Sequence, residues 1–143
     1  MLYAIIDGAY RPAQNGVCAC AFIIKNDKSE VVYRYSKRIG AGIGFSNNYA
    51  EYYSILEAFR WFSCRNEKEL TIASDSKLVI NQMNGEWKVN GGAYYEVYLR
   101  AKKLATSLTD EGKILKYNWV PREYLLEADR LANQAILGKE VNE

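Results

Sequence analysis

The sequence of 143 residues contains no histidine. This absence excludes Ser-His-Asp triads, Cys-His dyads, zinc sites with imidazole ligands and acid–base catalysis by histidine. Any catalysis must therefore come from carboxylates, lysine, tyrosine, cysteine or a metal ion held by oxygen ligands.

Cysteine is also scarce, with three residues and no CxxC spacing. Cys18 and Cys20 alternate in VCACAFII and so share one face of a predicted strand, and Cys64 lies near the end of a helical pattern. The odd count and this spacing predict buried thiols in a reducing compartment rather than a disulfide framework.

Long hydrophobic runs are missing: none approaches the ~20 residues of a transmembrane helix, and the first residues lack the pattern of a signal peptide. We therefore expect a cytoplasmic protein with no membrane association. The hydrophobic fraction of 49% and the charged fraction of 25% are typical of a folded soluble chain, and the length predicts a single domain over residues 1–143. The net charge of +2 neither favours nor excludes a polyanionic partner.

The apolar pattern predicts an α/β fold. Runs bounded by turn signals predict strands at residues 2–7, 17–25, 31–39, 69–74 and 114–120. Helical periodicity predicts helices at residues 47–64, 76–84, 93–108 and 123–137, with Ser46 as a candidate cap of the first. Together they predict a mixed five-stranded sheet flanked by helices. The glycine-rich segment 40–46 is interpreted as a flexible connection, because Phe45 occupies the third glycine position of GxGxxG.

Two carboxylates fall on helix faces that are otherwise apolar. Glu51 shares a face of the first long helix with Ile55, Ala58 and Phe62. Asp129 occupies the same kind of position in the last helix, on a face with Leu125, Ala132 and Ile136. A carboxylate in line with a buried stripe is costly unless it is paired or bound to a metal ion.

Two further carboxylates are predicted to end strands. Asp7 closes LYAII and Asp75 closes LTIAS. If both strands are central and parallel, these side chains emerge side by side at the carboxyl edge of the sheet, where functional groups gather. Glu51 and Asp129 could approach the same edge from the flanking helices.

Four neighbouring carboxylates predict a metal centre. Two of them ~4 Å apart repel by about 4 kcal/mol at an effective dielectric constant near 20, so cations are needed. Oxygen ligands without histidine or cysteine favour Mg²⁺ or Mn²⁺, and a pair of such ions is suited to in-line attack of water on a phosphodiester. Each acid also has a structural alternative: a turn at Asp7-Gly8, a helix cap at Asp75-Ser76, and salt bridges for Glu51 and Asp129.

These residues resemble the motifs of the type 1 ribonuclease H family over essentially the whole chain. The matching segments are Asp7-Gly8, NNYAE at residues 47–51, SDS around Asp75, and EADRLAN around Asp129. The short prokaryotic members that lack a basic protrusion are the most similar. The resemblance implies a sheet of order 3-2-1-4-5, with three antiparallel and then two parallel strands. It also implies two Mg²⁺ ions, for which Mn²⁺ could substitute, and cleavage of the RNA strand of RNA–DNA hybrids to 5′-phosphate and 3′-hydroxyl ends.

The resemblance also implies roles for individual residues. The metal-binding catalytic acids would be Asp7, Glu51, Asp75 and Asp129. Contacts with the substrate would come from Asn47, from the RNA minor-groove positions Gly8, Asn48 and Ser76, and from Ser46, which matches a residue that holds a DNA phosphate. Trp87, Lys88 and the Arg100, Lys102, Lys103 cluster are candidates for backbone contact, with a half-buried tryptophan and a solvated helix face as the alternative.

Two loops depart from the family pattern. The loop before the last helix reads PREYLLE and lacks the histidine associated with product release, so Arg122 and Glu123 are the candidates for that auxiliary role. The first loop, GAYRPAQNG, also differs from the usual NPGP type. A nuclease with broader substrates, such as double-stranded RNA or structured DNA, and a non-catalytic nucleic-acid-binding module remain alternatives. We expect a monomer.

Overall fold

Six strands form one mixed sheet in the computed structural model, which describes residues 1–143. They are β1 (Leu2–Arg11), β2 (Val17–Lys25), β3 (Val31–Gly40), β4 (Glu69–Ser74), β5 (Ile114–Trp119) and β6 (Val141–Asn142). The order is β5-β4-β1-β2-β3-β6, with β1–β2 and β2–β3 antiparallel and β1–β4 and β4–β5 parallel. The predicted order and directions of the first five strands are confirmed.

The predicted number of five strands is wrong, because the C-terminal residues add a sixth. Val141 and Asn142 pair antiparallel with Ser36 and Tyr35 at the outer edge of β3. Two residues carry no readable strand period, so only the tertiary pairing reveals this strand.

Four helices cover the sheet: α1 (Asn47–Ser63), α2 (Lys77–Met83), α3 (Tyr95–Asp110) and α4 (Leu126–Ile136). The larger core contains 20 buried residues, which come from one sheet face and from α1, α2 and α3. A second cluster of 10 buried residues joins the opposite face to α4. Because β2 is covered on both faces, its apolar run is buried from Val17 to Ile24, as the sequence predicts.

Three other predictions need correction. β1 does not end at Asp7, because β2 pairs with it as far as Arg11. The last helix does not begin at residue 123, because residues 122–125 form a 3-10 turn and α4 starts at Leu126. Cys18 and Cys20 are buried, but Cys64 is exposed because it follows the last turn of α1.

A buried polar network holds the connection between α2 and α3. The Tyr52 hydroxyl donates to Gln82 Oε1 at 2.6 Å, and Gln82 Nε2 donates to the Lys88 carbonyl at 3.3 Å and to the Tyr94 hydroxyl at 3.1 Å. Both Tyr52 and Gln82 are buried, so these bonds satisfy groups that water cannot reach. None of the helices combines the length and the apolar character needed to cross a membrane.

Candidate active site

The register of the parallel strands places Asp7 beside Asp75. β1 and β4 pair from Leu2–Leu70 to Ile5–Ala73, so each acid lies two residues beyond the last parallel pair. β4 ends at Ser74 while β1 continues, which leaves a notch at the edge of the sheet. Carboxylate oxygens of Asp7, Asp75 and Glu51 lie within 4.8 Å of one another at this notch.

Gly8 allows α1 to bring Glu51 to this position. A Cβ on Gly8 would lie 2.5 Å from Ala50 Cβ and 2.9 Å from the Glu51 amide nitrogen, so the contact between strand and helix has no room for a side chain. The Gly8 amide donates to Asp7 Oδ1 at 2.9 Å and to Glu51 Oε1 at 3.2 Å. One backbone N–H therefore bridges two of the carboxylates.

Replacing Gly8 with alanine is expected to lower the free energy of unfolding by about 1–3 kcal/mol, as overpacking of a tight contact does. The matched control is Gly40→Ala, since a Cβ there meets only the tip of the Phe45 ring, at 2.9 Å, and that ring can move. Urea unfolding measures both. Equal stability of Gly8→Ala and the wild type would contradict the close approach of α1.

Ser54 fixes α1 against the sheet close to Glu51 along the helix. Its hydroxyl donates to the Asp7 carbonyl at 2.8 Å and accepts a bond from the Ala21 amide at 3.3 Å. The side chain is fully buried. Ser54 thus connects α1 with β1 and β2. This role of Ser54 was not predicted from the sequence.

Hydrogen bonds to Asp75 and to both of its chain neighbours fix the backbone at the end of β4. The Trp119 indole N–H donates to the Asp75 carbonyl at 3.0 Å. Ser74 Oγ accepts from the Ser76 amide at 3.1 Å and donates to Glu51 Oε2 at 3.4 Å. The residue that caps α2 is Ser76, so the Asp75 carboxylate stays free to face the notch.

Asp129 approaches from α4, on the opposite wall. Its side chain is 33% exposed, and Arg122 lies 3.8 Å away, so the predicted alternative of a salt bridge is present for this acid. Asn133, one turn further along α4, donates to the Asp129 carbonyl at 2.9 Å and accepts a bond from Arg11. The four acids share a cleft of about 360 Å³ lined by Asp7, Gly8, Ala9, Tyr10, Arg11, Asn47, Glu51, Asp75, Arg122, Asp129 and Asn133.

Burial and mutual repulsion make the cluster electrostatically unfavourable. Burial is the main reason that the pKa of Asp7 rises to about 7, with repulsion by Asp75 and Asp129 adding to it. The pKa of Glu51 is raised well above its usual range, first by burial and then by the Asp7 charge. Asp7, Glu51 and Asp75 form no ion pair with a basic side chain.

The donor set fits a hard divalent cation. It consists of carboxylate oxygens, without nitrogen or sulfur ligands, and two of the three clustered acids are less than 10% exposed. A bound cation would favour the ionised forms of Asp7 and Glu51 and so offset the burial and the repulsion that raise their pKa values.

Only some of the predicted substrate-binding residues line this cleft. Gly8 and Asn47 line it, whereas Ser76 follows Asp75 at the start of α2. Ser46 caps α1, as predicted, by accepting a bond from the Tyr49 amide at 3.0 Å. Asn48 is half-buried in the first turn of the same helix.

The predicted backbone-contact and auxiliary residues also differ in whether they line the cleft. Trp87 and Lys88 are exposed in the 84–94 connection and are not among the residues lining the cleft. Arg122 lines the cleft, but Glu123 is exposed outside it. Of the two candidates for the auxiliary role, only Arg122 is therefore placed beside the acids.

Arg11 and Asn133 are cleft residues that sequence reasoning missed. Residue spacing could have predicted both positions. Residues 7 and 11 point to the same face of a strand, and residues 129 and 133 lie on the same face of a helix. The first signal was lost because residues 9–16 read as a turn, which made Arg11 a loop residue.

Comparison with known proteins identifies the family. A model of a ribonuclease H-like family, described as reverse transcriptase-like, matches residues 6–135. A bifunctional protein of Mycobacterium tuberculosis is 34% identical over 110 residues, which are 77% of this chain and 28% of that protein. Ribonuclease HI of Halobacterium salinarum is 28% identical over 135 residues, which are 94% of this chain and 64% of that protein. The chain thus spans less than two thirds of either relative.

Solved structures agree with this result. RNase H1 from the archaeon Halobacterium salinarum has a TM-score of 0.82 at 28% identity, over 96% of this chain and 98% of that one. The N-terminal RNase H domain of Rv2228c from Mycobacterium tuberculosis has a TM-score of 0.79 at 29% identity, over 96% of both chains. The chain belongs to the type 1 ribonuclease H family.

Other features agree with a type 1 ribonuclease H. LC11-RNase H1, solved in complex with an RNA/DNA hybrid, shares the fold with a TM-score of 0.84 at 24% identity, over 96% of this chain and 98% of that one. Residues 84–94 link α2 to α3 without a further helix in this type 1 ribonuclease H.

Proposed function

We propose that this protein is a Mg²⁺-dependent endonuclease that hydrolyses the RNA strand of RNA–DNA hybrids, with Mn²⁺ as a possible substitute. The observation that carries the proposal is the convergence of Asp7, Glu51 and Asp75 within 4.8 Å at the notch between β1 and β4, in a chain of this family. A related ribonuclease HI and an RNase H domain, each less than 30% identical, support the activity.

Asp7, Glu51, Asp75 and Asp129 would hold two metal ions. When bound, these ions would supply activation of water and neutralisation of the charge that develops on the phosphodiester. The products would carry 5′-phosphate and 3′-hydroxyl ends. This mechanism requires no imidazole group, which agrees with a chain that contains no histidine.

The chain's own residues keep the acids in position. The Gly8 amide holds Asp7 and Glu51, and the Trp119 indole holds the Asp75 backbone, so the carboxylates are oriented before substrate arrives. Such preorganisation removes the cost of orienting the groups during the reaction.

Substrate contacts are proposed around the cleft. Gly8, Asn48 and Ser76 would meet the RNA minor groove, where the 2′-hydroxyls distinguish RNA from DNA. Asn47 would bind the substrate from the cleft wall and Ser46 would hold a DNA phosphate. Trp87 and Lys88, both exposed, would contact the backbone further along the hybrid. Arg122, beside Asp129, would take the auxiliary role in product release.

A substrate panel tests the proposed function. Labelled RNA–DNA hybrid, double-stranded RNA and double-stranded DNA are each incubated with Mg²⁺, Mn²⁺ or EDTA, and the products are mapped. We expect cutting of the RNA strand of the hybrid with either metal ion, none with EDTA, and products that a 5′-phosphate-dependent exonuclease degrades.

The other outcomes favour the alternatives. Comparable cutting of double-stranded RNA or DNA would favour a nuclease with broader substrates. Binding of the hybrid without cleavage under any condition would favour a non-catalytic module. Cleavage that persists in EDTA would contradict the metal-dependent mechanism.

A further inference from the structure

Arg11 is a basic residue inside an acidic cleft. It is the last residue of β1 and lies on the same face of that strand as Asp7, since the two are four residues apart. It lines the cleft that contains the four acids, and its side chain is half-buried. Its position depends on β1 continuing beyond Asp7.

The guanidinium of Arg11 is oriented by a neutral partner. It donates to Asn133 Oδ1 on α4, and Asn133 in turn donates to the Asp129 carbonyl at 2.9 Å. Arg11 forms no ion pair, whereas Arg122, the other arginine of the cleft, lies 3.8 Å from Asp129. The charge of Arg11 is therefore not matched by a carboxylate contact.

An arginine in this state is suited to a phosphate group. The guanidinium has five N–H donors in a planar fork, and one bond to an amide oxygen leaves several of them available. Two parallel N–H bonds match the geometry of phosphate oxygens, and an arginine fixed by a neutral side chain loses little freedom when it binds.

We propose that Arg11 binds a phosphate of the nucleic acid in the cleft, beside the acid cluster, and that Asn133 is the positioning residue that orients its guanidinium. The inference rests on the proposed function, because it requires a nucleic acid whose backbone follows this cleft. It assigns part of the affinity for the hybrid to a residue outside the four acids.

The experiment measures hybrid binding as a function of salt. Fluorescence anisotropy with a labelled RNA–DNA hybrid in EDTA, where cleavage is prevented, gives the affinity at several KCl concentrations. Arg11→Gln is expected to weaken binding roughly 10-fold and to lower the slope of log affinity against log salt by about 0.7–0.9, the value for one phosphate contact. Arg11→Lys is expected to keep the slope and lose a few-fold in affinity, because it retains the charge without the fork.

Two controls separate a substrate contact from a structural role. Arg65→Gln removes the same charge near the start of β4, at the opposite end of that strand from Asp75, and is expected to leave the slope unchanged. Asn133→Ala is expected to weaken binding less than Arg11→Gln and to keep the slope, since the positive charge remains.

The outcomes distinguish this inference from the proposed function. A wild type that cleaves the hybrid, together with an Arg11→Gln variant of unchanged affinity and slope, would overturn the role of Arg11 alone. An Arg11→Gln variant that loses affinity but keeps the wild-type slope would also overturn it, because the loss would then come from altered structure rather than from a lost phosphate contact. A wild type that neither binds nor cleaves the hybrid would overturn both.

Discussion

Replacing Asp75 with asparagine is expected to reduce cleavage of an RNA–DNA hybrid by about 1,000-fold or more, which corresponds to ~4 kcal/mol of transition-state stabilisation. The substitution removes one negative charge from the three carboxylates that lie within 4.8 Å of one another. An amide is a weaker ligand for a hard cation than a carboxylate, so the proposed metal centre would lose charge and occupancy together.

The fold is expected to survive this substitution. Asparagine has nearly the same shape as aspartate, and the bond from Trp119 ends on the carbonyl of residue 75 rather than on its side chain. The cap of α2 is provided by Ser76, so the start of that helix does not depend on the Asp75 carboxylate. Loss of activity would therefore report on chemistry rather than on unfolding.

Steady-state cleavage of a labelled hybrid in Mg²⁺ measures the effect, with binding in EDTA measured in parallel. The matched control is Asp110→Asn, an exposed acid at the end of α3, which should retain wild-type activity. Cleavage by Asp75→Asn at more than a tenth of the wild-type rate would place the metal-binding acids elsewhere.

The metal-free protein is expected to become less stable as the pH rises from about 4 to about 7. The pKa of Asp7 is raised from its ordinary value of 3.8 to about 7, so the folded state binds this proton more tightly than the unfolded chain does. The resulting stabilisation is present below pH 3.8 and is lost as the pH rises through 7.

The expected loss is large for a single site. The free energy of unfolding is expected to fall by roughly 4 kcal/mol over this interval. Glu51, whose pKa is also raised, acts in the same direction, and the two acids titrate as a pair. A divalent cation that binds the folded state should reverse the loss by mass action.

Urea unfolding in EDTA at several pH values measures this effect, and a second series with Mg²⁺ tests the reversal. Asp7→Asn is expected to make the metal-free protein more stable than the wild type at pH 8 and to flatten the pH dependence. Asp27→Asn is the control, because that acid is exposed and pairs only with the N-terminal amine. A metal-free wild type whose stability does not change between pH 5 and pH 8 would contradict the raised pKa of Asp7.

Local patterns in the chain were sufficient to predict much of the architecture and to select four acids that line one cleft in the structure. The apolar runs predicted the five longer strands, and the bounds of β2 and β4 agree with the structure, because both strands are buried and end at polar residues. The positions of Glu51 and Asp129 on apolar helix faces were readable for a similar reason, since helical spacing is local.

Contacts between distant segments decided the remaining features. The continuation of β1 beyond Asp7 depends on pairing with β2, and that continuation places Arg11 in the cleft. The approach of Glu51 to Asp7 depends on the space above Gly8, and the anchoring of Asp75 depends on Trp119, 44 residues away. Residue spacing shows which face a side chain occupies, but its neighbours depend on strand register and helix packing, which join segments far apart in the chain.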